Sequence, residues 1–176
     1  MRMFLTGLAA LALAAVPGSA ALPVGAKAPD FVTTGALAGK PFKFRLKDEL
    51  RKNIVVLYFF PKAFTKFCTL EAHAFSEATA EFKKAGAQVI GMSADDLPTL
   101  QRFSVEACRN AFPVAVASPA TQKAYDVAWA EHPGRTTRTS YVIDRRGRVR
   151  MVHDDLDFSQ HVAKTLAAVK ALNKGQ

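Results

Sequence analysis

Cysteine and tryptophan are scarce in this chain: two and one among 176 residues. Two thiols cannot make a disulfide framework or a four-thiolate metal site, so any cysteine chemistry rests on one or both of them. Nine prolines and ten glycines are ordinary usage, which excludes collagen-like and low-complexity classes. Acidic side chains are also short, 15 against 24 Lys and Arg, for a net charge of +9. That charge suits nucleic acid, an anionic membrane surface or an acidic partner. The basic residues are scattered, however, with one dense cluster at Arg145, Arg146, Arg148 and Arg150, and the expectation is no nucleic-acid binding. The cluster reads as a solvated turn and edge.

No apolar run reaches the roughly 20 residues that cross a bilayer. The longest opens the chain: Met1 and Arg2 give a positive start, Met3 to Val16 is uncharged and apolar, and Pro17-Gly18-Ser19-Ala20-Ala21 supplies a breaker and small residues. This predicts a secretory signal peptide over residues 1–20 and no stable membrane insertion. The protein is then exported, with a bacterial periplasm the natural compartment. Residues 21–176 show no repeat, linker or composition break and read as a single domain.

Ile54 to Phe60 is the strongest strand signal, apolar at every position and so covered on both faces. From Cys68 to Ala85 the period becomes helical, with Leu70, Ala74, Ala78, Phe82 and Ala85 on one face and Gly86 as the stop. A strand follows at Gln88 to Met92. A second helix spans Leu97 to Ala111, with Asp95 or Asp96 as N-cap and Pro98 in its first turn. Pro113 to Ala117 reads as a short strand, Ser118 to Tyr125 as a helical turn, and Ser140 to Asp144 with Val149 to His153 as a hairpin. Phe158 to Leu172 closes as an amphipathic helix, and Phe42 to Leu46 is an extra edge strand. Alternating β and α elements predict an α/β fold with a central mixed sheet flanked by helices.

Cys68 stands at the start of the first long helix, where free backbone N–H groups and the helix dipole favour negative charge. Thr65 can turn its hydroxyl to that sulfur, and Lys66 adds a nearby cation, so a thiolate is favoured there. A helix-start cysteine that merely packs is the competing reading. Metal binding by Cys68 with His73 is disfavoured: five helical residues leave the side chains roughly 140° apart. His73 reads as solvated, and His132, His153 and His161 show no ligand spacing. Cys108 lies on the flank of the second helix's apolar stripe, so its burial stays open.

The stretch from Tyr58 to Ala72, with Pro61, Thr65 and Cys68 spaced as Pro, three residues, Thr, two residues, Cys, resembles the active-site segment of peroxiredoxins. It is most similar to the bacterioferritin-comigratory, or PrxQ-like, branch of the AhpC/TSA superfamily. Ala28-Pro29-Asp30-Phe31, Gly91 to Asp95 and Arg138 to Asp144 extend the likeness along most of the chain. The resemblance implies a thioredoxin-like fold and a thiol peroxidase acting on hydrogen peroxide and organic hydroperoxides through a Cys68 sulfenic acid, without metal, flavin or haem. It makes Cys68 the peroxidatic nucleophile, Thr65 a donor to sulfur and peroxide, Pro61 a shield and Arg138 the fixed cation. Glu71, one helical turn after Cys68, reads equally well as a carboxylate that orients Arg138 and as a surface carboxylate of the first helical turn.

Lys66 and Phe67 stand where PrxQ relatives usually carry proline and glycine, which makes this loop bulkier and more charged. His73 stands where many carry a resolving cysteine. The leading resolution is a Cys68–Cys108 disulfide after local unwinding; the alternative is a spectator Cys108 and direct reduction by an external thiol. Implied partners are a peroxide and a thioredoxin-like or small-thiol reductant, with the chain a monomer or homodimer. Two other functions stay in view. A thioredoxin-type oxidoreductase needs a second cysteine three positions on, which Cys68-Thr69-Leu70-Glu71 lacks. A non-catalytic thioredoxin-fold binding or redox-partner module is the other.

Overall fold

The computed structural model describes residues 21–174, so the expected signal segment lies outside them. Strand β3 (Ile54–Phe59) is buried at all six positions, as a strand apolar on both faces requires. It pairs in parallel with β4 (Ala87–Ser93) and antiparallel with β6 (Thr139–Ile143). Its residues alternate between two apolar clusters: Ile54, Val56 and Tyr58 join one, Val55, Leu57 and Phe59 the other. With β1 (Val32–Leu37), β2 (Lys40–Arg45), β5 (Val114–Val116) and β7 (Val149–Asp154), the sheet has the order β2-β1-β5-β4-β3-β6-β7.

Helices α2 (Lys66–Lys84), α3 (Leu97–Glu106) and α5 (His161–Lys174) close the first cluster through Phe75, Phe82, Leu100, Phe103 and Val169. The second lies under α1 (Leu46–Leu50), which contributes Leu46 and Leu50, and Tyr125, which ends α4 (Pro119–Ala124). The result is the α/β sandwich expected, a mixed sheet between helices. Among the described residues no helix is long and apolar enough to cross a membrane.

Several local expectations are corrected. Helix α2 begins at Lys66, and its buried face is Cys68, Glu71, Ala72, Phe75, Thr79 and Phe82. Leu70, assigned to the core stripe, is 41% exposed. An alanine-rich helix offers several equivalent stripes, and Phe75 stacking on Tyr58 at 4.3 Å between centroids helps choose one. Helix α3 is capped by Asp96, which accepts from the Thr99 N–H at 2.9 Å, but it stops at Glu106 rather than Ala111. Arg109 and Asn110 then take left-handed φ values of 51° and 59°, which no helix can continue. The edge strand expected at Phe42 to Leu46 is Lys40–Arg45, hairpinned to the unexpected β1. The terminal helix begins as a 3-10 turn at Phe158–Gln160. The arginine cluster straddles the β6–β7 turn, where Asp144 Oδ1 accepts from the N–H groups of Arg146 and Arg148 at 2.9 Å each.

Candidate active site around Cys68

The loop leaving β3 is held from two sides. The Phe60 N–H donates to the Met92 carbonyl at 2.9 Å, and the Phe60 carbonyl accepts from Thr136 Oγ1 at 2.8 Å. The Ala63 N–H donates to Asp95 Oδ2 at 2.7 Å, and that oxygen also takes the Ser93 hydroxyl at 2.8 Å. Pro61 is half-buried in this loop. The chain then turns through Phe64, at φ 62°, into α2.

Thr65 is the N-cap residue, but its side chain does not cap the helix, and the first turn holds no acidic residue. The positive end of α2 is therefore left to whatever negative charge lies in that turn. Cys68 lies there, 1% exposed. The Thr65 hydroxyl donates to the Lys62 carbonyl at 3.0 Å; the sulfur contact anticipated for it is not formed in this state.

Arg138 is buried immediately before β6 and divides its guanidinium three ways. Nη2 donates to Cys68 Sγ at 3.4 Å, Nε donates to the Leu156 carbonyl at 2.9 Å, and Nη1 donates to Glu71 Oε2. Register explains the meeting: Phe59 pairs with Thr139, so the residue before β6 lies beside the loop that carries Cys68. Glu71, one helical turn after Cys68, is fully buried. Burial pushes its carboxyl up to about 8, against the opposing pull of Arg138.

Behind this trio the structure adds residues the sequence did not suggest. His161, the first residue of α5, is fully buried, with Nδ1 2.8 Å from Ser140 Oγ and Nε2 2.9 Å from the Asp155 carbonyl. Burial pushes it down to about 4, so it is neutral near pH 7. A histidine opening an amphipathic helix carries no sequence signal of such a role. His153, eight residues earlier on β7, comes beside it, with ring centroids 4.5 Å apart. Among the described residues no group of three or more His, Cys, Asp or Glu is placed to hold a metal ion.

Cys108 is fully buried just past the end of α3, in the same apolar cluster as Cys68, and burial pushes its thiol well above the ordinary range. Both thiols are free. His73 is half-buried on α2. Around the mouth of the site, Phe67 is 55% exposed and stacks on Phe158 at 5.8 Å between centroids, and Leu156 is exposed beside Arg138.

A buried thiol in the first turn of a helix, faced by a buried arginine on a thioredoxin-like sheet, defines a thiol redox protein. The sequence matches the AhpC/TSA family over residues 24–152. It is 34% identical to the chloroplastic peroxiredoxin Q of Suaeda salsa, covering 75% of this chain and 66% of that protein. It is 32% identical to the chloroplastic peroxiredoxin Q of Triticum aestivum, covering 80% and 72%. The crystal structure of peroxidoxin BcpB from Mycobacterium tuberculosis superimposes with a TM-score of 0.76 at 27% identity, covering 85% of this chain and 97% of that one. AhpC of the same organism, 22% identical with a TM-score of 0.78 over 89% and 96%, shows the shared fold. The chain belongs to the AhpC/TSA family and is a peroxiredoxin, a thiol-dependent peroxidase.

Proposed function

We propose that Cys68 is the peroxidatic nucleophile and that Arg138, Glu71, Thr65 and Pro61 form its setting. The observation that carries this is the 3.4 Å contact of Arg138 Nη2 with a buried sulfur at an otherwise uncapped helix end. The thiolate attacks one peroxide oxygen: an S–O bond forms, the O–O bond breaks, and sulfur is oxidised by two electrons to the sulfenic acid. The other oxygen leaves as hydroxide or alkoxide and takes a proton to become water or an alcohol. Arg138 and the free N–H groups of the first turn of α2 stabilise the charge growing on that oxygen. Thr65, three residues before Cys68, reaches the peroxide when its hydroxyl turns from the Lys62 carbonyl. Pro61 closes the loop side against water.

Resolution is assigned to Cys108. Its thiol displaces water from the sulfenic acid to give a disulfide, which an external thioredoxin-like or small-thiol reductant reopens. Because both sulfurs are buried, the step follows local opening. The consecutive left-handed residues Arg109 and Asn110 place backbone strain beside Cys108, where that opening begins. The protein acts as a monomer or homodimer on hydrogen peroxide and organic hydroperoxides. Relatives named as chloroplastic fit an exported or organellar setting, and the apolar leader points to a bacterial periplasm.

Stoichiometric peroxide consumption by the reduced protein and by Cys68→Ser tests the reading. Loss in the variant supports it, and undiminished consumption by Cys68→Ser rejects it.

A further inference from the structure

The two oxygens of the buried Glu71 carboxylate are in opposite circumstances. Oε2 is taken by Arg138 Nη1. Oε1 has no hydrogen-bond partner and faces His161 Nδ1 at 3.8 Å. The tautomer of His161 follows from its other side: Nε2 lies against the Asp155 carbonyl, which only accepts, so Nε2 carries the ring proton. Nδ1 then presents a lone pair, which takes the Ser140 hydroxyl. An anionic Oε1 placed there meets a lone pair and no donor, a costly arrangement for a buried charge. A proton on Oε1 removes the conflict, since Nδ1 becomes its acceptor once the Ser140 hydroxyl turns aside. The gap is about 1 Å longer than such a bond and needs a side-chain adjustment of that size.

We propose that one proton is held between Glu71 Oε1 and His161 Nδ1, on the glutamate side, so that the whole positive charge of Arg138 is left for Cys68. The inference rests on Cys68 being the nucleophile. His161 and Ser140 are positioning residues in it; neither touches the sulfur. Burial supports the assignment, because it holds Glu71 protonated to about 8 and His161 neutral to about 4.

The other charged or titratable groups around this pair come from several elements. Arg138 precedes β6, Tyr58 faces Glu71 from β3, and Cys68 lies on α2 itself. His153 approaches from β7, with Lys164 of α5 3.3 Å from its Nδ1, and Asp154, Asp155 and Asp157 stand at the end of β7 and in the following loop. When the proton leaves, Arg138 is shared between two anions and its hold on the sulfur weakens.

The test follows the reduced protein from pH 5 to 10 by infrared spectroscopy, watching the carbonyl stretch of a protonated carboxylic acid, assigned by its loss in Glu71→Gln. The rate of sulfenic acid formation on mixing with peroxide is measured in parallel. The expected band disappears around pH 8, and the rate constant declines over the same interval. His161→Gln keeps a donor for the Asp155 carbonyl but removes the acceptor at Nδ1, and it lowers both transitions by about one pH unit. His161→Asn, which restores an acceptor at that position, recovers most of the shift. Ser140→Ala frees Nδ1 and moves both transitions upward, a change of opposite sign that serves if His161→Gln fails to fold.

Absence of the band at pH 6, or equal behaviour of the two His161 variants, overturns the proposal. The band is read without peroxide, so it decides the proton's position even if Cys68→Ser shows that another group reduces peroxide.

Discussion

Arg138 Nη2 lies 3.4 Å from the sulfur of Cys68, and among the described residues no other side chain donates a hydrogen bond to that sulfur. Arg138→Lys keeps a positive charge but cannot reach Cys68, Glu71 and the Leu156 carbonyl at once. The expected result is a fall of about 100-fold in the rate of Cys68 oxidation with the far-ultraviolet circular dichroism unchanged. A rate within a few-fold of the parent protein excludes Arg138 from the reaction.

On the proposed route, the burial of Cys108 should separate oxidation from resolution in time. After one equivalent of peroxide, mass spectrometry should first find a gain of oxygen at Cys68, then a loss of two hydrogens as the disulfide closes. Urea below the unfolding transition should speed the second step, which needs opening near Arg109, and leave the first nearly unchanged. Persistence of the sulfenic acid without a disulfide assigns resolution to an external thiol.

Glu71 and His161 bend the pH dependence of stability in opposite directions. Glu71 is raised from 4.5 to about 8, so its favourable contribution is complete below pH 4.5 and is lost as pH rises to 8. His161 is lowered from 6.5 to about 4, so its contribution is complete above pH 6.5 and is lost as pH falls to 4. The two slopes cancel between 4.5 and 6.5, and from 6.5 to 8 Glu71 alone lowers stability, by about 2 kcal/mol. Urea midpoints should be level at pH 5 and 6.5 and lower at pH 8. In His161→Gln the decline should begin already at pH 5. A midpoint that rises from pH 6.5 to 8 contradicts the Glu71 assignment, and a midpoint that already falls between pH 5 and 6.5 in the parent protein contradicts that of His161.

Gly91 gives Tyr58 its place. A Cβ at position 91 would meet the Tyr58 ring and hydroxyl at 2.9 Å, while Phe75 stacks on the ring, so the ring has little room to retreat. Gly91→Ala should destabilise the protein by about 2 kcal/mol, seen as a fall of several degrees in Tm. An unchanged Tm means the ring moves freely.

Phe67 stands next to Cys68 with half its surface in solvent, stacked on Phe158. Phe67→Ala should reduce kcat/KM for a bulky organic hydroperoxide by about tenfold and leave that for hydrogen peroxide nearly unchanged. Equal losses for both substrates, or none, remove substrate contact from the role of this ring.

The central strand was legible because Ile54 to Phe60 is apolar at every position, and Cys68 because its spacing from Pro61 and Thr65 is specific. Strand β1 was not. Its VTTGAL sequence has a weak period, and Gly35 is there because a Cβ would meet the Val114 carbonyl at 2.8 Å across the β1–β5 pair, a constraint visible only in three dimensions. On α2 the alanine stripe is not the buried face, which contains Glu71 and Thr79, polar residues that a hydrophobicity pattern rejects. The place of His161 beside Glu71 is equally silent in sequence, since a charge relation between α2, β6 and α5 leaves no mark on any one segment.

The rung joining Phe59 to Thr139 places Arg138 beside the loop that leads to Cys68. Sliding β6 by a single residue would turn its buried side chains to the opposite layer, so the arginine's half of the site is as durable as the sheet. The sulfur's half depends on the loop itself, tied down through Ala63 to Asp95 and through the Phe60 carbonyl to Thr136; an engineer seeking new substrates has the exposed side chains of Lys62 and Lys66 to rewrite, and the tethers to leave alone.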